Sequence, residues 1–389
     1  MPTTEHFQPC QAVPSAPGHH YFGYYDKFPW DSSGRYLVSL ESTFMDRPQR
    51  PGEAAVVGLI DTANGNQWTP LAETRAWNWQ QGTMLHWLDW DPAGRIIYND
   101  VRDGQFVAVT RKVHSAEERV LPRPVYNVSR DGHQAVTLNF SRVHRCRPGY
   151  GYCALPDPRE GELHPAEDGI YWMDLETGEN RLILSLDQIV GIRHDATMDG
   201  VEHWFNHLLF NQDGSRFIFL HRWVRPETRN WYTRMFTATP DGSDICCLSD
   251  HELVSHFDWR NPRQVLAWAT RHEVGNRYFL FDDQTEHLEV VGEGTLTCDG
   301  HCSYSPDGRW ILTDTYPARE DHKRTLLLYR PTDDFRVDVG RFYSPPELQG
   351  EIRCDLHPRW SRDGKRVCFD SLHEGTRQLY VMDVTEVVG

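Results

Sequence analysis

Residues 304–315, YSPDGRWILTDT, and residues 360–371, WSRDGKRVCFDS, follow one pattern: an aromatic residue, a short Asp-Gly turn, a basic residue, then an alternating apolar strand. The order recurs upstream as WDSSGRYLVSLE at 30–41, WDPAGRIIYND at 90–100, NVSRDGHQAVTLN at 127–139, FNQDGSRFIFLH at 210–221 and, with Asn-Pro at the turn, FDWRNPRQVLAWA at 257–269. A second apolar strand follows each, from Val56, Phe106, Ile170, Met235, Tyr278, Thr325 and Gln378. Short β-branched or aromatic runs ended by such turns are hairpin signals. Seven paired signals in order predict an all-β, seven-bladed β-propeller occupying residues 1–389 as a single domain. A generic two-sheet sandwich explains the hairpins but not their ordered repetition.

Spread over seven units, 389 residues give about 56 per unit. The last unit, from Ile352 to Val384, has space for only three strands. The spacing therefore predicts that a segment before His19 supplies the missing outer strand and closes the ring, leaving no open sheet edge. Two long insertions, Arg142–Asp168 and Leu186–Glu202, interrupt the pattern before the fourth unit, and insertions on one face of a repeat protein mark its binding face.

The charge balance, 40 Lys+Arg against 56 Asp+Glu for a net −16, excludes a dedicated nucleic-acid binder, since no basic run of five or more occurs to neutralise phosphates. A small anionic ligand is compatible with it, because a few arginines in one cleft bind an anion on an acidic molecule. No leader-like apolar segment and no apolar stretch of about 18 residues is present, so no membrane partner is expected. Nine cysteines, two of them adjacent at Cys246 and Cys247, do not form a secreted disulfide pattern, and a reducing, cytoplasmic setting is expected.

Among 20 histidines, His207, His256, His301 and His357 stand near the start of the inner strand in units four to seven. Equivalent phase in neighbouring blades converges on the propeller axis. Cys354 precedes His357 by three residues, and with His256 and His301 these form a possible Cys-His₃ metal set, in which a thiolate among imidazoles favours zinc. Cys354 is otherwise a small buried hydrophobe, and Asp355 and Asp314 are competing ligands. Two basic, aromatic segments follow a different logic. One, Ser141–Tyr152, carries Arg142, Arg147, Tyr150 and Tyr152; the other, His221–Arg234, carries Arg222, Tyr232 and Arg234. Paired N–H groups of Arg suit carboxylates, and Tyr and Trp faces suit sugar rings.

No serine-hydrolase elbow, P-loop or His-Glu-x-x-His motif occurs. From about His207 to Val384 the chain resembles the oligogalacturonate lyases, through GHCSYSPDGRWILTDTYP, DLHPRWSRDGKRVCFDSLHEGTRQLYVMDV, the His256 to His301 interval and Arg234 in YTRMF. YFGYYDKFPWD from Tyr21 and RPGYGY from Arg147 are more similar to related propeller lyases, including ulvan lyases. The resemblance implies a seven-bladed propeller that cleaves uronate glycans by β-elimination. It implies a divalent metal of manganese type on His301 and His357, a catalytic His256, and Arg234 facing the substrate carboxylate. This chain carries Cys354 and Asp355 where that family has a glutamine and a further histidine, which suits zinc and leaves His256 as either ligand or base. The expected roles are carboxylate neutralisation by Arg222 and Arg234, base chemistry by His207 (by His256 if it is not a ligand), proton donation by Tyr150, and substrate binding by Arg147, Tyr152 and Tyr232. A non-catalytic sugar-binding or protein-interaction propeller is the alternative. Oligomeric state has no signature in the sequence.

Overall fold

The computed structural model describes residues 3–91 and 94–389; Pro92 and Ala93, within the expected turn of the second repeat, and the first two residues lie outside the described residues. The described strands form a seven-bladed β-propeller. Blade 1 runs through His19–Tyr21, Tyr36–Ser42, Ala55–Asp61 and Gln67–Thr74, and blade 4 through His203–Phe210, Phe217–Arg225, Asn230–Ala238 and Cys246–Ser249, each antiparallel in sequence order. Blades 2, 3, 5 and 6 follow the same order. Inner strands of neighbouring blades lie against one another, as Val254–Asn261 of blade 5 does against Ser303–Tyr304 of blade 6.

The Asp-Gly turns have a physical cause that repeats with the pattern. Asp31, Asp131, Asp307 and Asp363 accept backbone N–H groups a few residues on, at 2.9–3.1 Å. The glycines that follow, Gly34, Gly132, Gly308 and Gly364, sit at φ between 68° and 74°, where a side chain is strained. The aromatic residue opening each repeat mostly packs between blades: Trp30, Phe210, Phe257 and Trp360 are buried. Trp90 is the exception, 50% exposed and stacked on His133.

Blade 7 contains Arg359–Trp360, Arg366–Ser371 and Gln378–Asp383, and its outer strand is Cys10–Val13, antiparallel to Gln378–Asp383 with Cys10 opposite Met382 and Val13 opposite Leu379. The N-terminal segment thus closes the ring, as the short last unit requires. It continues outward to blade 6, where Thr4–Glu5 adds a fifth, parallel strand. Removing residues 1–18 is expected to lower stability by several kcal/mol, because two sheet edges open at once. Equilibrium denaturation checks this, and an unchanged midpoint would refute closure as a stabilising element.

Among the described residues α-helix is confined to short segments: Phe140–Cys146 and Leu186–Gly191 lie in the two insertions, and Thr385–Val388 lies near the C-terminus. No described helix is long and apolar enough to cross a membrane.

Candidate functional site on the propeller axis

Regular pairing fails where the inner strands reach the axis. In blade 4 the register shifts between Asn206 and Leu209, and His207 takes φ of 55°. Its N–H, lost to the ladder, donates to the Tyr126 hydroxyl at 2.9 Å. In blade 5 the register shifts between Val254 and Phe257 around His256, and the Tyr25 hydroxyl bonds both the N–H and the carbonyl of Phe257, at 2.9 Å each. His357 has φ of 42° just before the inner strand of blade 7. Such breaks re-aim a side chain that a regular strand would leave in the sheet.

The result is one cluster of rings. His256 lies 4.0 Å from His301 and His301 4.4 Å from His357, centroid to centroid. Tyr24 stacks on His207 at 5.0 Å and 7°, and meets His357 edge-on at 4.9 Å. Tyr150 meets His207 at 5.6 Å. Tyr24 and Tyr25 reach the axis because the segment ahead of them is pinned: Phe22 and Gly23 donate their N–H groups to Asp370, and Arg359 donates to the Gly23 carbonyl. Gly23 has φ of 127°, and a Cβ there would stand 2.7 Å from the Gln81 backbone.

Three groups, His301, Asp355 and His357, offer donor atoms within 4.8 Å of one another. His301 Nδ1 donates to Asp314 at 2.8 Å, leaving Nε2 as a lone pair, buried and without a hydrogen-bond partner. His357 Nε2 is likewise buried and unpartnered. Asp355 is flanked by Arg324 at 2.7 Å and Arg353 at 2.8 Å; burial opposes its ionisation, but the two guanidinium groups outweigh burial and hold the carboxyl well below its usual range. Two of the expected ligands fall outside this set. Cys354 is buried with its Sγ against the Asp355 carbonyl, and burial pushes the thiol up to about 11. His256 packs against His301 with the rings tilted by 47° but is directed by a different carboxylate, Asp299, which accepts from its Nδ1 at 2.9 Å. The three convergent groups offer nitrogen and oxygen donors only, among which ligand softness does not single out zinc.

Arg222 is 4% exposed, and its Nε and Nη1 are buried with no partner; only Nη2 donates, to the Val254 carbonyl at 3.3 Å. Burial, reinforced by nearby Arg147, lowers its pKa to about 9, so it stays cationic at neutral pH. Neither Arg222 nor Arg147 forms an ion pair among the described residues. Arg147 lies over the Tyr150 ring at 4.2 Å, and Arg353 donates to the Tyr150 hydroxyl at 2.6 Å. Burial raises the Tyr150 pKa, yet Arg353 and Arg147 together outweigh burial and bring the phenol down to about 8. His207 is held neutral by burial and by Arg222 and Arg147. Gln81 Nε2 donates to its Nδ1 at 3.2 Å, which places the ring proton on Nε2, 3.4 Å from the Tyr24 hydroxyl.

Three expected substrate contacts are engaged elsewhere. Arg234 is buried with its donors on the Ile189, Ile192 and Arg193 carbonyls and on His221 Nδ1, anchoring the second insertion. Tyr152 stacks on Phe140 at 4.2 Å and accepts from Asn99 at 2.9 Å, supporting the first insertion. Tyr232 stacks on Trp223 at 5.3 Å, away from the axial rings. Tyr24, Tyr25 and Arg353 belong to the cluster and are not among the expected site residues; the YFGYYDK segment is the only sequence signal for the two tyrosines, and Arg353 has none beyond its place next to Cys354.

No protein-family model matches the chain, and the search of curated proteins finds no match. Among solved structures, the fold resembles oligogalacturonate lyases over the full chain. One, from Vibrio parahaemolyticus, is 14% identical with a TM-score of 0.65, over 98% of this chain and 99% of that one. Another, an oligogalacturonate lyase in complex with manganese, is 16% identical with a TM-score of 0.66 and full coverage, 100%, of both chains. The β-propeller domain of the Trilobed protease from Pyrococcus furiosus, with an open velcro topology, is 9% identical with a TM-score of 0.52, over 90% of this chain and 93% of that one. At these identities the likeness is one of fold.

Proposed function

We propose that the chain is a lyase that cleaves uronate-containing oligosaccharides by β-elimination. The observation that carries this reading is Arg222, a buried cation with two unsatisfied nitrogen donors beside the axial phenol Tyr150. An unpaired buried charge is costly and is retained where an anion completes it. The full-length fold likeness to oligogalacturonate lyases supports the same substrate class.

Arg222 binds the uronate carboxylate and makes the C5 proton more acidic by stabilising the charge that develops on the carboxylate. His256, with Asp299 holding its Nδ1 proton, presents Nε2 as the base. The C5–H electrons form the C4–C5 double bond as the C4–O bond breaks, and Tyr150 donates its proton to the departing oxygen. The axial donors His301, Asp355 and His357 fit a divalent cation, since two buried imidazole nitrogens without a hydrogen-bond partner converge with an ionised carboxylate. A cation bound there supplies further positive charge near the substrate carboxylate. Their nitrogen and oxygen donors accommodate manganese as well as zinc.

Elimination and hydrolysis differ in mass balance. Elimination products sum to the substrate mass with no water added, and mass spectrometry of digests of oligogalacturonates, ulvan fragments and other oligouronates tests the reading. Products that carry an added water would refute it.

Two predictions follow from these roles. Elemental analysis of the purified protein is expected to show about one divalent metal per chain, lost in the His301→Ala/His357→Ala double variant and kept in Cys354→Ala. Metal retained by the double variant would refute these ligands. As a proton donor with its pKa lowered to about 8, Tyr150 must be protonated, so the rate should fall as pH rises through about 8. Arg353, Arg147, Asp355, Tyr24, Tyr316 and His207 all face this phenol. Tyr150→Phe is expected to remove that limb along with most activity, whereas a rate that rises through the same range would make Tyr150 a base instead.

A further inference from the structure

We infer that Trp231 and Arg147 form an outer subsite that holds the sugar next to the cleaved pair, so that the enzyme favours longer acidic oligosaccharides. This inference rests on the lyase reading above. Trp231 lies near the start of the strand Asn230–Ala238, at the end of the blade 4 hairpin, and is 45% exposed. Its ring is not loose: Trp204 supports it edge-on at 5.5 Å and 89°.

The guanidinium of Arg147 lies between two rings, 5.0 Å from Trp231 and 4.2 Å from Tyr150. Its Nε is buried without a hydrogen-bond partner, and it pairs with no carboxylate among the described residues. A single Arg thus links an exposed indole to the phenol proposed to protonate the leaving group. A uronate ring has an apolar C–H face and a carboxylate on its edge. An exposed indole complements the first and an unpaired guanidinium the second. Other exposed aromatics lack this combination. Trp90 stacks on His133, Phe7 lies in the N-terminal segment, and Tyr316 meets His301 at 6.3 Å and so belongs to the axial cluster itself.

Contacts away from the reacting bond act as uniform binding, so they are expected to change kcat/KM with chain length and to leave the chemical step alone. Trp231→Ala is expected to lower kcat/KM by about tenfold or more on trimers and longer oligouronates, with kcat and disaccharide kinetics unchanged. Trp231→Phe should recover most of the loss, and Trp90→Ala should show none. Calorimetry of wild-type and Trp231→Ala protein with intact oligouronates provides a readout independent of cleavage, in which the gain in affinity with length is lost in the variant. An equal loss on disaccharides, or no loss on long substrates, would overturn the subsite. If no oligouronate is cleaved while the length-dependent, Trp231-dependent binding persists, the lyase reading fails and the subsite stands.

Discussion

Changing Arg222 to methionine is expected to reduce kcat/KM on an oligouronate by about 10²–10³, the typical cost of removing one donor that stabilises developing negative charge. Its Nε and Nη1 are buried without partners and Nη2 makes only a 3.3 Å bond, so the free protein gains little from this charge. Replacing a buried, unpaired cation by an apolar side chain of similar length is often neutral or stabilising. The variant should therefore unfold no more easily than the wild type while losing activity. This divergence is the signature of a group kept for its ligand. Arg234→Met should behave in the opposite way, because its donors hold the Leu186–Gly191 helix and its C-terminal turn through the Ile189, Ile192 and Arg193 carbonyls. It should destabilise the fold and lower activity only through that. Thermal unfolding beside initial rates checks both. A stability loss in Arg222→Met with activity intact would remove Arg222 from the site.

The second large effect is at His256. Replacing it with glutamine removes the proposed base and is expected to lower kcat by about 10²–10⁴ with the fold intact. Asp299→Asn should give a smaller loss, since the ring keeps its place but loses the carboxylate that fixes its proton on Nδ1. His207→Gln should cost less than His256→Gln. Its Nδ1 already accepts from Gln81 and its Nε2 carries the proton facing Tyr24, which leaves no free lone pair for C5. If His207→Gln were the more damaging of the two, with both variants folded, the base would move to His207.

Both assignments show where sequence reading reached and where it stopped. The seven blades were legible because the Asp-Gly turn leaves a local mark in the sequence, and the closing strand was legible because the last unit is one strand short. The convergence of four histidines followed from their shared phase. Choosing between Arg222 and Arg234 did not, because it depends on strand register. His221 pairs with Arg234, and Arg222 with Thr233. Alternation therefore puts Arg234 on the face of His221 and Arg222 on the other, the face that reaches the axis. Nothing local distinguishes the two arginines until the pairing is known. Sequence spacing alone does not decide between Cys354 and Asp355, which are adjacent in the chain; in the fold it is Asp355 that meets the two histidines. Tyr24 and Tyr25 depend on contacts hundreds of residues away, such as Phe22 and Gly23 with Asp370, which no short motif records.

The measurement closest to the central claim is the ultraviolet absorbance of the C4–C5 double bond during incubation with oligogalacturonates and other oligouronates, for wild type, Arg222→Met and His256→Gln side by side. The expected result is a steady rise for wild type on at least one uronate, reduced by about a hundredfold or more in both folded variants. No rise with any uronate, or the same rise in all three proteins, would contradict elimination at this axial site.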